Sequence, residues 1–478
     1  MAQENKELNP KVCVIGADAG GLAVAAATAA FGVSAVLIEN AGMGGEFLKK
    51  DGNVPVQALI AAAERVNAVR DGARFGARAV RVGVDFGAVG AHMRQVIDAL
   101  APNFARERFA ALGVRVIKGA ARFTDADTVA VDDLSIKADR FVIATGSSPV
   151  IPPIPGLLDT PHLTSETVAD LADHPRHLIV IGAGAVGLEL AQAFRRLGAD
   201  VTVLEPGTPL PGEDGECAAI VLAALAREGV KLRTGIEIAN VRRVLARVQV
   251  ALAAPAGAET IEGSHLLVAA GQRPNLDGLG LDAAGIARTP HGIAVDGELR
   301  TTNKRVYAVG DATGAPPAAH VASHHAGLVA RQVLFRLPAK VNDLAVARVI
   351  HTDPELAQVG LVEEEARARQ HAIRVLRWPY RENDRAQAAG ATDGHVKVVT
   401  DRSGGILGVT IVGAQAGENI AAWTLAISEN LDIRAVAGLA VPHPSYAEVG
   451  KHAAATYFSR GLTPPRVRRI IGWLRRHG

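Results

Sequence analysis

The sequence predicts an α/β protein with two doubly wound parallel-sheet domains and a C-terminal α+β domain, and three observations carry that prediction. An apolar run, a Gly-rich turn and a helical run occur first at Val12-Cys13-Val14-Ile15 and Gly16-Ala17-Asp18-Ala19-Gly20-Gly21. The same pattern returns at Leu178-Ile179-Val180-Ile181 and Gly182-Ala183-Gly184-Ala185-Val186-Gly187. From about residue 346 to 458 the pattern changes to alternating strands and amphipathic helices.

Each Gly-rich turn joins a buried strand to a helix N-terminus, whose unpaired amides suit a pyrophosphate. Each unit then reaches a second apolar strand ending in an acid. Glu39 follows Val36-Leu37-Ile38, and Glu205 follows Val201-Thr202-Val203-Leu204. That is roughly the 20-residue spacing of a ribose-binding carboxylate. The chain therefore reads as two dinucleotide-binding domains. Gly16, Gly21 and Glu39 belong to the first, and Gly182, Gly184, Gly187 and Glu205 to the second. Two nucleotides held in one chain suit passing a hydride from a nicotinamide to a flavin. Glu205 favours NADH over NADPH, because a carboxylate repels a 2′-phosphate.

In chain order, residues 11–150 form the first domain: strand, turn, helix and strand to residue 39, a helical stretch over 55–112, then strands leading to Phe141-Val142-Ile143-Ala144-Thr145-Gly146. The Pro-rich Pro149 to Pro155 is a stiff connector. Residues 151–272 form the second domain, and 273–345 return to the first, with Val306-Tyr307-Ala308-Val309-Gly310-Asp311 a buried strand ending in an acid. Residues 346–458 are the α+β domain and 459–478 a basic tail.

A chain of 478 residues suits roughly three domains of about 150 residues. The low aromatic content and abundant Ala and Gly suit close helix–sheet packing. A net charge of +2 gives no field that points to nucleic acid. Met1 to Pro10 is polar and lacks a signal-peptide core, and no run of about 18 apolar residues occurs, so the expected location is cytoplasmic. No metal site is predicted. The two cysteines, Cys13 in a predicted strand and Cys217 at the start of a helix, read as inert structural thiols.

Together these motifs resemble the class I pyridine nucleotide-disulfide oxidoreductases, the family of dihydrolipoamide dehydrogenase, glutathione reductase and mercuric reductase. The resemblance runs from about residue 11 to 458. Besides the two fingerprints it rests on Ala144-Thr145-Gly146-Ser147-Ser148-Pro149, Gly271-Gln272-Arg273-Pro274-Asn275 and Ala308-Val309-Gly310-Asp311. His351-Thr352-Asp353-Pro354-Glu355 and His443-Pro444-Ser445-Tyr446-Ala447-Glu448 complete it. It implies FAD in the first domain, with Thr145, Gly146 and Asp311 in its site, NAD(P)H in the second, and a homodimer formed by the last. Asp311 matches an acid contacting the flavin's ribityl chain; a carboxylate capping the following helix is the other reading.

The sequence departs from the family at its redox disulfide. The segment reads Gly44-Gly45-Glu46-Phe47-Leu48-Lys49-Lys50-Asp51-Gly52-Asn53-Val54-Pro55-Val56-Gln57, with Phe47 and Asn53 where the cysteines belong. A dithiol relay here is excluded. Gln57 replaces a lysine that pairs with the family glutamate matched by Glu189. Glu189 is then partly solvated, left charged without that partner, or protonated. Asp18 replaces the middle fingerprint glycine and sets a carboxylate against the pyrophosphate, unless it turns to solvent, binds a cation or takes a proton. His443 and Glu448 match the family's acid–base dyad. They either protonate a reduced acceptor such as a quinone or only stabilise the dimer interface.

Beyond the family's usual end, Val467, Ile470, Ile471 and Leu474 fall on one face of a helix opened by Pro465, with Arg466, Arg468, Arg469, Arg475 and Arg476 around the rest. A membrane-surface element and a docked helix with solvated arginines are its two readings. The expected function is hydride transfer from NADH to FAD and then directly to a small-molecule, non-disulfide acceptor such as a quinone. A catalytically silent nucleotide-binding relative is the alternative. Dihydrolipoamide dehydrogenase or mercuric reductase activity is disfavoured by the missing cysteines.

Overall fold

The computed structural model describes residues 7–79, 81–253, 259–369, 372–459 and 465–477. Its chain divides into two compact units. The first is Met1–Gly182, Arg196–Pro206 and Gly235–Val341; the second is Ala183–Arg195, Gly207–Thr234 and Asn342–Gly478.

The first unit contains a five-stranded parallel sheet in the order Val306–Ala308, Arg140–Ile143, Val12–Ile15, Ala35–Glu39, Val114–Lys118. Its inner strands are covered on both faces, so they read as unbroken apolar runs without alternation. Beneath one face, Cys13, Ile15, Val36, Ile38, Phe141 and Ile143 share a core with Phe123, Val129 and Ile136. Across the other, the helix Ala19–Ala30 packs on the helix Ala319–Phe335. A Cβ at Gly20 would stand 3.0 Å from the Ala322 carbonyl oxygen, which is why small residues crowd this contact. The same unit holds a parallel trio, His265–Val268, His177–Ile181 and Asp200–Glu205, and an antiparallel sheet of Glu237–Val244, Arg247–Ala253 and Glu259–Gly263.

The structure corrects two local expectations. The stretch 55–112 is not one helical run: Asn53–Asp71 ends near Gly72 and Gly76, and Phe86–Leu100 starts anew with the Asp85 carboxylate accepting the Ala88 amide at 3.1 Å. Glycines at 72 and 76 terminate the first helix, and an aspartate cap begins the second. The strand near Asp311 covers only Val306–Ala308; Gly310, at φ +60°, turns the chain into a short 3₁₀ segment, Gly310–Thr313, that carries the acid.

The second unit is built on an antiparallel sheet in the order Arg348–Ile350, Glu355–Gly360, Ile406–Gly413, His395–Asp401, Ile373–Pro379. The helices Ala416–Ser428 and Ala447–Ser459 bury Trp423 and Ala453 with Tyr380, Val398 and Ile411. The helices Ala185–Leu197 and Gly215–Arg227 contribute most of their length to this unit.

Candidate functional site

The first Gly-rich turn is shaped by close approach. Gly16 holds φ +98°, and a Cβ there would lie 2.1 Å from the Ala144 carbonyl oxygen. Gly21 would place a Cβ equally near the Gly16 oxygen, at 2.1 Å. The turn is thereby clasped against Ala144-Thr145-Gly146. At the end of the adjoining strand, Glu39 is 8% exposed and accepts the Ala17 amide at 2.6 Å on Oε2. The amides of Ala41 and Gly42 donate to Oε1. The carboxylate is locked toward the turn, with a lone pair left on Oε2 for a ribose hydroxyl.

Asp311 accepts the Ser147 hydroxyl at 2.5 Å and the Ala318 amide. Burial pushes its carboxyl above the usual range, and these two bonds partly offset that. Ala318 is the residue before the helix Ala319–Phe335, so the carboxylate anchors the chain at the start of that helix while standing beside Ser147. The Ser147 hydroxyl also contacts Gln272, and Asn275 Nδ2 donates to the Thr145 carbonyl at 3.1 Å. Thr145 Oγ1 is buried with no hydrogen-bond partner among the described residues. A buried hydroxyl left unpaired is costly, so a ligand hydrogen-bonding there is the economical explanation. The locked Glu39, the open Thr145 hydroxyl and the turn's amides fit a flavin dinucleotide.

Asp18 is the residue that opposes this fit. Its Cγ lies 3.6 Å from the Cβ position of Gly146, and its Oδ2 lies 3.4 Å from that of Gly310. Oδ2 is buried, so the side chain does not swing out to solvent. Asp18 starts the helix Ala19–Ala30 as its N-cap residue, yet makes no side-chain capping bond.

In the second fingerprint Gly182 holds φ +108°, with a Cβ position 2.3 Å from the Ala269 oxygen. The chain then enters the helix Ala185–Leu197; the Cβ position of Gly184 is open, and Gly187 is buried. Glu205 closes the strand Asp200–Glu205, half-buried.

No thiol occupies the segment before the helix Asn53–Asp71. Phe47 lies in the helix Gly45–Asp51, 9% exposed, its ring 4.9 Å from that of Phe104. Asn53 and Gln57 are exposed. Cys13 and Cys217 are each fully buried, and burial raises both thiols far above their ordinary range. Neither forms the thiolate that redox relay requires.

His443 is exposed and held by Glu448, with Nδ1 at 3.0 Å from Oε1 and 3.2 Å from Oε2. Ser445 donates its amide to the same carboxylate at 3.0 Å. Hydrogen bonding and charge from Glu448 raise the imidazole above its usual range. Asp384 Oδ2 lies 3.7 Å from Nε2. Nothing in the residue pattern marks Asp384, because its contact with His443 spans a long stretch of chain. Ser147 belongs to the same group, and its place directly after Thr145-Gly146 is the sequence signal for it.

The chain matches the family model described as pyridine nucleotide-disulphide oxidoreductase over residues 10–326, and that family's dimerisation domain over 346–454. The chain belongs to this family. Its members are FAD-dependent oxidoreductases that use NAD(P)H. A dihydrolipoyl dehydrogenase of Thermus scotoductus is 36% identical over 94% of this chain and 97% of its own length. A mercuric reductase of Streptomyces lividans is 33% identical, covering 94% and 96%. Among solved structures, LpdA from Mycobacterium tuberculosis has 28% identity and a TM-score of 0.83, covering 94% of this chain and 99% of its own. The HOCl-induced flavoprotein disulfide reductase RclA from Escherichia coli has 26% identity and a TM-score of 0.82, covering 93% and 99%.

Within this family member, Glu189 is 6% exposed and accepts the His351 amide at 2.7 Å. Burial raises its pKa to about 7, and that single hydrogen bond offsets only part of the effect. The sequence left open a solvated carboxylate; burial removes that reading. Because the folded pKa lies above the unfolded one, the native state keeps a proton that the unfolded chain releases from about pH 4.5 upward. Stability therefore falls as pH rises, and the full penalty stands above about pH 7. Glu189→Gln keeps the acceptor for His351 and removes the charge. Its expected gain over the parent is near zero at pH 4.5 and about 3 kcal/mol at pH 8. Urea unfolding at the two pH values reads it; equal gains at both would count against a buried titrating carboxylate.

Proposed function

We propose that this protein takes hydride from NADH to FAD and delivers the electrons directly to a small-molecule, non-disulfide acceptor, a quinone being the favoured class. The observation that carries the proposal is the thiol-free helix Gly45–Asp51, where Phe47 packs on Phe104. Gly16, Gly21, Glu39, Thr145, Gly146 and Asp311 would hold FAD; Gly182, Gly184, Gly187 and Glu205 would hold the nicotinamide nucleotide, with Glu205 favouring NADH. When bound, the flavin supplies a two-electron carrier between nicotinamide and acceptor. The chain's own part is to bind, orient and protonate.

Reducing a quinone to its quinol consumes two electrons and two protons. Hydride carries both electrons and one proton; His443 is assigned the second proton. Glu448 fixes the ring through Nδ1 and raises its basicity, leaving Nε2–H to donate. Glu189, neutral below about pH 7, avoids an added negative charge in its surroundings. A homodimer is the proposed assembly, given the family dimerisation domain at 346–454.

Purified protein reconstituted with FAD is expected to be yellow and to bleach with NADH under anaerobic conditions. A menaquinone or ubiquinone analogue should restore the colour at a useful rate, whereas lipoamide should not. Restoration by lipoamide alone would overturn the acceptor assignment. Asp18 favours the second reading, a catalytically silent nucleotide-binding relative; failure of saturating FAD to reconstitute the protein would select it.

A further inference from the structure

The helix Pro465–His477 follows the dimerisation domain and has no part in the reading above. Ile470 is 58% exposed, Trp473 59% and Leu474 54%, with Ile471 at 45%. Large side chains so exposed on one short element are unusual for a surface in contact with water alone. At about 100° per residue, Ile470, Leu474 and Ile471 span one arc of roughly 100°. Trp473 flanks that arc. Arg469, Arg475 and Arg476 are exposed in the opposite sector. Residues 465–478 contain five arginines and no acid.

We propose that this helix seats the protein on a bilayer surface rich in anionic lipid headgroups. Thirteen residues reach about 20 Å, too short to cross the roughly 30 Å hydrocarbon layer, so the helix lies in the interfacial plane. Among the described residues no helix is long and apolar enough to cross. A helix this short, with Gly472 inside it, is marginal in water and needs its apolar arc covered. The bilayer covers that arc while the arginines extend to the headgroups, each worth about fivefold in partition. Tryptophan is a favoured residue at that depth.

Charge selects among possible occupants. A second copy of the helix would set arginine against arginine with no acid to compensate. Nucleic acid would satisfy the arginines but leave the apolar arc and Trp473 without a reason. An anionic bilayer answers both features.

The test uses the full-length protein and vesicles of phosphatidylcholine with or without phosphatidylglycerol. Cosedimentation is expected with the anionic vesicles, at least tenfold weaker with neutral ones, and weakened by added salt. Deleting residues 463–478 should abolish it, and Arg469→Glu/Arg476→Glu and Ile470→Ser/Leu474→Ser should each weaken it at least tenfold. The emission shift to the blue on binding should vanish in Trp473→Phe. Undiminished binding by the deletion variant overturns the proposal, as does the absence of vesicle binding by the parent. Tail-dependent capture of a DNA duplex, or tail-dependent oligomerisation, overturns it if vesicles are not bound. None of these readouts involves turnover or flavin content, so the outcome stands apart from that of the acceptor assay.

Discussion

Asp18→Gly is expected to tighten FAD binding by about a thousandfold. The middle glycine of a dinucleotide fingerprint lets the backbone approach the pyrophosphate, and here a carboxylate occupies that place. Its Oδ2 is buried near Gly310, on the side where the Thr145-Gly146 and Gly310-Asp311 turns converge. Like charges at about 4 Å, at an effective dielectric near 20, repel by roughly 4 kcal/mol. That energy is about a thousandfold in dissociation constant. Asp18→Asn separates charge from bulk. If repulsion dominates, the asparagine variant recovers most of the gain; if crowding dominates, it recovers little. Titration of flavin-free protein with FAD, followed by flavin fluorescence, gives the constants. An affinity in the glycine variant equal to the parent's would show that Asp18 does not face the pyrophosphate.

Much of this site was legible in the sequence because backbone constraints leave residue-level marks. Gly16 and Gly182 each sit at positive φ with a carbonyl oxygen about 2 Å from any added Cβ, so the turn can be written only with glycine. Val12–Ile15 and Leu178–Ile181 lie in strands covered on both faces, which leaves unbroken apolar runs. Glu39 was legible by its spacing, yet its three amide donors were not, since backbone groups carry no side-chain signature. The missing disulfide was legible as Phe47 and Asn53, but the Phe104 ring packed on Phe47 comes from far along the chain. The helix Gly45–Asp51 was hidden by glycines at both ends and by two lysines beside each other. Burial was the least legible property. Glu189 is singled out in the sequence as an acid without its lysine partner, but whether it is solvated, charged or protonated is decided only by the packing that buries it.

Burial also conceals the largest expected stability effect, at Lys397. This lysine points from the strand His395–Asp401, with its side chain 5% exposed. Its Nζ meets Asp214 at 2.7 Å, Glu363 at 2.8 Å and Glu216 at 3.1 Å. Burial opposes its charge, but the hydrogen bonds it donates to Asp214 and Glu363 outweigh that and hold the ammonium above its usual range. Asp214 also caps the helix Gly215–Arg227, taking the Glu216 and Cys217 amides on Oδ1. One ammonium thus ties that helix and the helix Glu363–Arg369 to the sheet. Lys397→Met preserves the stem but strands the carboxylates, and removing one partner from a buried ion cluster costs about 3–5 kcal/mol. Arg377 still reaches Glu216 and Glu363, which keeps the loss toward the lower end of that range. Adding Asp214→Asn and Glu363→Gln to Lys397→Met should recover part of the deficit, a non-additivity that a merely packed lysine stem would not show. The deficit should also shrink in acid. Glu216, held at about pH 2 chiefly by its Arg377 hydrogen bond, supports the fold above about pH 4.5 and loses that contribution as pH falls toward 2. Urea unfolding of the parent, Lys397→Met, Asp214→Asn/Glu363→Gln and the triple variant at pH 7 and pH 4 measures both effects. A Lys397→Met variant as stable as the parent at pH 7 would refute the cluster's role as the clasp of this unit.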